Sequence, residues 1–275
     1  AAVETRRQAA LSIARLHDLE AVPLLRRALR DPDAEVRRNA ALGLGGLEEE
    51  APPEAERALL AALAAEEGLD NRAVYLWDLG RIAGEGAIGA FREALADDLP
   101  VLREAACRGL GAYGLRGRQL DPALMRRVAT RARDDQQKAV RLACTYALSR
   151  LEPPPEASDR NGIRSDLLAA LEDPEGEVRG FAARALGAYG GATEALAERT
   201  RDPDWQVAVQ AFRALGRNVA DDRGRAAGQA LRSALDSALA DEVLSETEAH
   251  VLLTGFAALA PAARFEPVFG VSREA

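Results

Sequence analysis

Apolar positions along this chain fall into one-sided helical stripes, and the stripes recur as a series of similar units. Over 34–47 they are Val36, Ala40, Ala41, Leu44 and Leu47, the 3.6-residue period of a helix buried along one face. The anchoring position of that stripe returns at Ile13, Leu44, Leu79, Leu110, Leu148, Leu186, Leu215 and, after a longer gap, Leu259. Each of these inner helices is preceded by an outer one, predicted at about 20–30, 54–65, 86–96, 121–133, 163–171, 191–201 and 224–239. Seven pairs result, led by a half unit over Ala2 to Leu16. A short acidic turn opens each inner helix, and in five units a carboxylate precedes an arginine by six residues: Asp31 and Arg37, Glu66 and Arg72, Asp97 and Arg103, Asp135 and Arg141, Asp173 and Arg179. The arginines follow one another at 35, 31, 38 and 38 residues. A helical period of that size predicts an all-α chain, an α-solenoid wound as a right-handed superhelix of about seven helical hairpins. In such an array each unit buries its apolar face only against its neighbours.

The turn Asp31-Pro32-Asp33 returns as Asp173-Pro174-Glu175 and Asp202-Pro203-Asp204. It predicts a carboxylate N-cap followed by proline at the first helical position, with negative charge opposing the positive end of the helix dipole. Glycines at Gly45, Gly46, Gly114, Gly190 and Gly191 are expected to end inner helices in the left-handed conformation. Pro153-Pro154-Pro155 opens a stretch, 152–162, expected to be an inter-repeat loop that no helix spans. The organisation expected is a single array over 1–260 and a tail over 261–275, whose Phe265 and Phe269 either cover the last repeat or hang free.

Through stretches such as Ala28-Leu29-Arg30-Asp31-Pro32-Asp33-Ala34-Glu35-Val36-Arg37 and Ala182-Ala183-Arg184-Ala185-Leu186-Gly187, the chain resembles HEAT-like repeats of the phycobilin-lyase type along nearly its whole length. The resemblance implies that the turn carboxylates and helix arginines of the five pairs form a ladder joining neighbouring repeats. Asp202 is followed six residues later by Ala208, and the last unit offers Leu252, so the two C-terminal repeats depart from the pattern.

The apolar fraction is 48% but only 4% is aromatic, so burial relies on Leu, Ala and Val in closely packed helices. Lys138 is the only lysine. A net charge of −8 and a pI near 5.1 disfavour a nucleic-acid partner unless the arginines segregate onto one face. Cys107 and Cys144, at matching positions of adjacent repeats, are expected to be reduced core residues. No apolar run approaches the roughly 18 residues of a membrane helix, so no membrane insertion is expected. A cytoplasmic location is expected, with a cut from a longer protein and a removed leader both left open by the starting Ala1.

Chemistry is sparse. Gly109-Leu110-Gly111-Ala112-Tyr113-Gly114 has the spacing of a dinucleotide loop but ends a helix where a strand would have to precede it, and is read as repeat punctuation. His17 and His250 have no second ligand at metal spacing, and no serine or cysteine stands in a nucleophile motif. The pairs Asp97-Asp98, Asp134-Asp135 and Asp221-Asp222 sit in turns and are read as solvated caps. No catalytic residue, metal or cofactor is therefore expected.

Aligning the inner helices two residues before the core leucine gives Leu11, Leu42, Trp77, Arg108, Tyr146, Arg184 and Arg213. On the concave face of a HEAT array, Trp77, Arg108, Tyr146, Arg184 and Arg213 would form an aromatic and guanidinium ridge of the kind that anchors binding partners. The competing reading has the aromatics filling gaps between repeats and the arginines bridging acidic turns. Trp205 is expected to be exposed as a rim contact or a staple against the preceding helix. The function expected is a non-enzymatic scaffold binding a protein or peptide along the concave face. A structural module of a larger assembly, with self-association open, is the alternative. A chromophore-lyase-like or base-excision-like role, the latter resting on Trp77 and Asp78, is a further one.

Overall fold

The structure, a computed structural model, describes residues 2–220 together with 228–230, 232, 233, 236, 250, 251, 253–255 and 257. Most of the expected 224–239 helix, Asp221-Asp222, Leu252, Leu259 and the 261–275 tail with Phe265 and Phe269 lie outside the described residues.

Thirteen α-helices are described, and no strand occurs among the described residues. The chain falls into two units, Ala1–Pro154 and Pro155–Ala275. In the first, α1 (Val3–Ala14), α3 (Ala34–Gly45), α5 (Leu69–Ile82), α7 (Pro100–Leu115) and α9 (Lys138–Leu148) pack in series as one layer. Helices α2 (Val22–Ala28), α4 (Pro53–Ala65), α6 (Ala87–Ala94) and α8 (Pro122–Asp134) form the other, each against the helix that follows it. In the second, α10 (Ala157–Ala170) pairs with α11 (Gly176–Tyr189), α12 (Thr193–Arg199) with α13 (Trp205–Ala220), and α11 packs on α13. Six hairpins behind a leading helix are thus described.

The apolar stripe is the core. Leu44, Leu79, Leu110, Leu148, Leu186 and Leu215 are all at most 1% exposed, while Ile13, on the first helix, is half-buried. Small residues bring the inner helices together. A Cβ built on Gly80 would stand 2.1 Å from the carbonyl oxygen of Gly109, so α5 and α7 touch backbone to backbone there.

Three local expectations are corrected. The helix after Asp31-Pro32-Asp33 starts at Ala34 with Asp33 as N-cap, its carboxylate accepting from the Val36 N–H at 3.1 Å. The proline therefore lies outside the helix, because Asp31 instead accepts from the N–H two residues on, at 2.9 Å. Of the helix-ending glycines, Gly190 and Gly191 do take positive φ, 65° and 70°, but Gly46 is right-handed and Gly45 and Gly114 are helical. In the first unit the left-handed residues that follow inner helices are His17, Glu48 and Ala83 as well as Gly117. Finally, the expected 152–162 loop is shorter. Helix α10 begins at Ala157, directly after the prolines, and Arg160 donates back to the Pro155 carbonyl at 2.6 Å to satisfy it.

Cys107 and Cys144 are also corrected: they are paired in a disulfide. Both side chains are fully buried between α7 and α9, and equivalent positions on adjacent helices bring their Cα atoms to 4.7 Å.

Candidate interaction surface

Six turns share one geometry. Asp31, Glu66, Asp97, Asp135, Asp173 and Asp202 each accept from the backbone N–H two residues ahead, at 2.9–3.1 Å. The arginine six residues on reaches back to its own turn: Nη1 of Arg37, Arg103, Arg141 and Arg179 donates to the carbonyls of Asp31, Asp97, Asp135 and Asp173 at 2.8–3.0 Å. In Arg37, Arg103 and Arg179 the remaining N–H groups point to the next hairpin. Arg37 grips Glu66 at 2.8 and 2.9 Å, Arg103 grips Asp135 at 2.7 and 3.0 Å, and Arg179 grips Asp202 at 2.9 and 2.8 Å. Arg72 approaches Asp97 at 3.8 Å. The series is entered from α1, where Arg6 donates to Asp31 at 2.8 and 3.1 Å.

A six-residue spacing thus sets each guanidinium on its own turn's carbonyls, while its carboxylate partner belongs to the following hairpin. The planar fork of arginine suits this double task, since it offers five N–H donors in fixed directions. Electrostatics follow the contacts. Arg37, aided by Asn71, Tyr75 and the Gly68 N–H, holds the Glu66 carboxyl down at about 2. Burial pushes Asp135 up, but the Arg103 guanidinium and the Gln137 N–H outweigh it and leave the carboxyl below its usual range.

The aromatic and arginine column lies on the other aspect of the same helices. Leu42 and Trp77, on α3 and α5, are 38% and 36% exposed. On α7 the Arg108 side chain is 62% exposed and pairs with Glu104 one turn back at 2.7 Å. Tyr146, on α9, is half-buried: its ring lies against Gly111 of α7, and the Arg150 guanidinium sits 5.1 Å from the ring centroid. In the second unit Arg184 is half-buried on α11, its carbonyl accepting from Arg217 at 3.5 Å, and Arg213 is exposed on α13. Trp205 is 44% exposed and meets the His250 ring edge-on, with centroids 5.6 Å apart.

Asp78 does not share that face. One residue from Trp77, and so about 100° round the helix, it is fully buried. Its carboxylate fills the space where a side chain at Gly45 would stand. Burial pushes its carboxyl up to about 7, against Arg81, whose guanidinium lies 3.4 Å away. The second oxygen, Oδ2, has no hydrogen-bond partner. The pairing of Trp77 with Asp78 as an aromatic and acidic base pocket is therefore corrected: the two side chains occupy different sides of α5. Arg81 continues to Glu48 at 3.3 Å, and Glu48 also meets Arg116, so one polar chain links the ends of α3, α5 and α7. Sequence reasoning passed over Glu48, Arg81 and Arg116; Glu48 stands in a run of three glutamates that resembles any solvated turn. Among the described residues no cluster of His, Cys, Asp or Glu is placed to hold a metal ion, and no helix is long and apolar enough to cross a membrane.

A family model for HEAT repeats matches residues 1–73 and 164–250, more than half of the chain. The chain belongs to the HEAT repeats. Solved structures share the fold of this HEAT-repeat chain at low identity. Kap95p, in a complex with RanGDP, is 13% identical with a TM-score of 0.63, covering 89% of this chain and 38% of its own. The CpcE and CpcF complex of phycocyanin lyase from Nostoc sp. PCC7120 gives 20% identity and 0.51, covering 86% and 94%. A designed armadillo repeat protein bound to the peptide (KR)4 gives 14% and 0.51, covering 86% and 98%. No curated protein matches the chain.

Proposed function

We propose that this HEAT-repeat chain is a non-enzymatic scaffold that docks a protein or peptide on the face of its inner helices. In the first unit the anchors are Trp77, Arg108 and Tyr146; in the second, the corresponding positions are Arg184 and Arg213. The observation that carries the reading is the exposure of Leu42, Trp77 and Arg108 at one register on three successive helices, in an array whose other large apolar side chains at these helices' core positions are buried. Exposed aromatic and arginine side chains in a row are the residue types that dominate binding energy at interfaces. Within the first unit α1, α3, α5, α7 and α9 approach one another more closely than α2, α4, α6 and α8 do, which supports taking this layer as the concave side. The neighbours captured with Ran and with a peptide show that comparable folds carry such partners.

The arginines favour a partner bearing acidic and aromatic side chains, and salt is expected to weaken it. Trp77 fluorescence, recorded in a Trp205→Phe background, reports occupancy during titration with peptides of that composition. Substituting Arg108 and Tyr146 by alanine should lower affinity at least tenfold and leave the circular dichroism unchanged. An unaltered affinity in that variant, or no response of Trp77 to any acidic aromatic peptide, overturns the assignment.

A further inference from the structure

A second surface lies away from the column, at the cleft bordered by α1, α2 and α4. Its volume is about 1640 Å³. Ligand pockets for small molecules run to roughly 300–1,000 Å³, so the space suits a polypeptide element better. Its α4 wall is a single helical face: Glu54, Arg57, Ala58, Ala61, Ala62 and Ala65 recur at intervals of three and four residues, about three turns or ~16 Å. Opposite stand Leu24, 55% exposed, and Ala28 on α2. Alanine walls admit close approach of another backbone, and an exposed leucine beside them supplies apolar area.

Charge completes the picture. Arg6 and Arg37 at the floor are spent on Asp31 and Glu66. By contrast Arg26, Arg27, Arg30 and Arg57 are exposed and make no ion pair among the described residues. Glu54 and Glu67 are the only lining acids without an arginine partner there, so the cleft is positive in a chain whose net charge is −8. Uncompensated guanidinium groups around an apolar trough complement a ligand that brings carboxylates flanking a small apolar face.

We infer that this cleft receives an amphipathic helix of a partner protein, with alanine and leucine along one face and glutamates on its edges. This docking is independent of the aromatic column.

The test uses a labelled synthetic helix of about 18 residues, long enough for five turns, with an Ala and Leu face and Glu flanks, and a counterpart with Lys at every Glu. Fluorescence anisotropy against the whole chain should show the Glu peptide binding at least tenfold more tightly, with an affinity that falls as salt is added. The double variant Arg27→Glu, Arg57→Glu should lose that preference, and Ala61→Trp, which obstructs the α4 wall from an exposed position, should weaken binding in the same measure. Trp77→Ala with Arg108→Ala should leave it unchanged, which separates this cleft from the column. Equal binding of both peptides, or indifference to both the charge reversal and the obstruction, overturns the inference. So does a dimer, seen by sedimentation, that the charge reversal dissolves, because the occupant would then be a second copy of this chain.

Discussion

Replacing Asp78 by asparagine removes a charge from the most enclosed carboxylate of the first unit while keeping its shape. Burial carries that carboxyl from 3.8 to about 7. At ~1.4 kcal/mol per pH unit, keeping it ionised in the folded chain costs about 4 kcal/mol once the pH exceeds roughly 8. The sign follows from the raised value: the folded state holds its proton more tightly than the unfolded one. Stability is therefore intact below pH 3.8, drains away as pH climbs, and levels off above about 7. Asparagine escapes this loss but buries amide N–H groups where Oδ2 already lacks a partner, a penalty of about 1–3 kcal/mol that does not depend on pH. Asp78→Asn is thus expected to be less stable than the parent at pH 4 and more stable, by ~1–3 kcal/mol, at pH 8. Urea unfolding followed by circular dichroism at pH 4, 6 and 8 measures both. The decisive quantity is the change in the variant-minus-parent difference between pH 4 and pH 8, expected at ~3 kcal/mol. Other groups that titrate in that range act in both proteins and cancel. A difference that stays flat with pH refutes the claim that Asp78 is ionised at a cost inside the array.

Arg103→Ala leaves the Asp135 carboxylate, whose side chain is 1% exposed, with only Arg131 at 3.4 Å and the Gln137 N–H, and should cost about 2–4 kcal/mol in urea unfolding, with lysine at the same position failing to restore the bidentate contact; a loss under ~1 kcal/mol would show the rung to be incidental. Gly80→Ala should destabilise by ~1–3 kcal/mol or more because a methyl meets the Gly109 backbone, whereas Gly89→Ala, with nothing within 4 Å, should stabilise by ~0.5–1 kcal/mol; thermal midpoints of the pair check the contrast. The chain should resist alkylation at Cys107 and Cys144 until it is unfolded and reduced, and opening their bridge, which closes a loop with a sequence separation of 37, should lower stability by about 3–4 kcal/mol.

The hairpin series was legible because burial imposes its period on the sequence: the leucine column from Leu44 to Leu215 is solvent-free throughout its described length. The six-residue spacing of Asp31 and Arg37 was legible too, and the family resemblance implied a ladder between neighbouring repeats, which Arg37 and Glu66 form. What the spacing did not display is the second half of the grip, the guanidinium donating to the backbone carbonyl of its own turn. Helix starts slipped by two residues because an aspartate that folds its turn and one that caps a helix look alike in sequence. Glycine carried a similar ambiguity, since a position free of Cβ serves a left-handed turn at Gly190 and a close helix contact at Gly80. For the column, the sequence supplied residue types and register. Which side of α5 meets solvent depends on how the neighbouring helices are set, and that is why Trp77 and Asp78, adjacent in the chain, have opposite surroundings.

The double grip of the arginines gives the array a direction. The hairpin α2–α3 shows both ends: its Asp31 accepts from Arg6 of the helix behind it, and its Arg37 reaches Glu66 of the hairpin ahead. The unit opened by Asp202 accepts but has Ala208 where the donor would stand, so it can close a series and not extend one. Shuffling hairpins among positions therefore obeys a polarity, like couplings with a hook at one end and an eye at the other, and Ala208→Arg is the substitution that would give the Asp202 hairpin the donor it lacks.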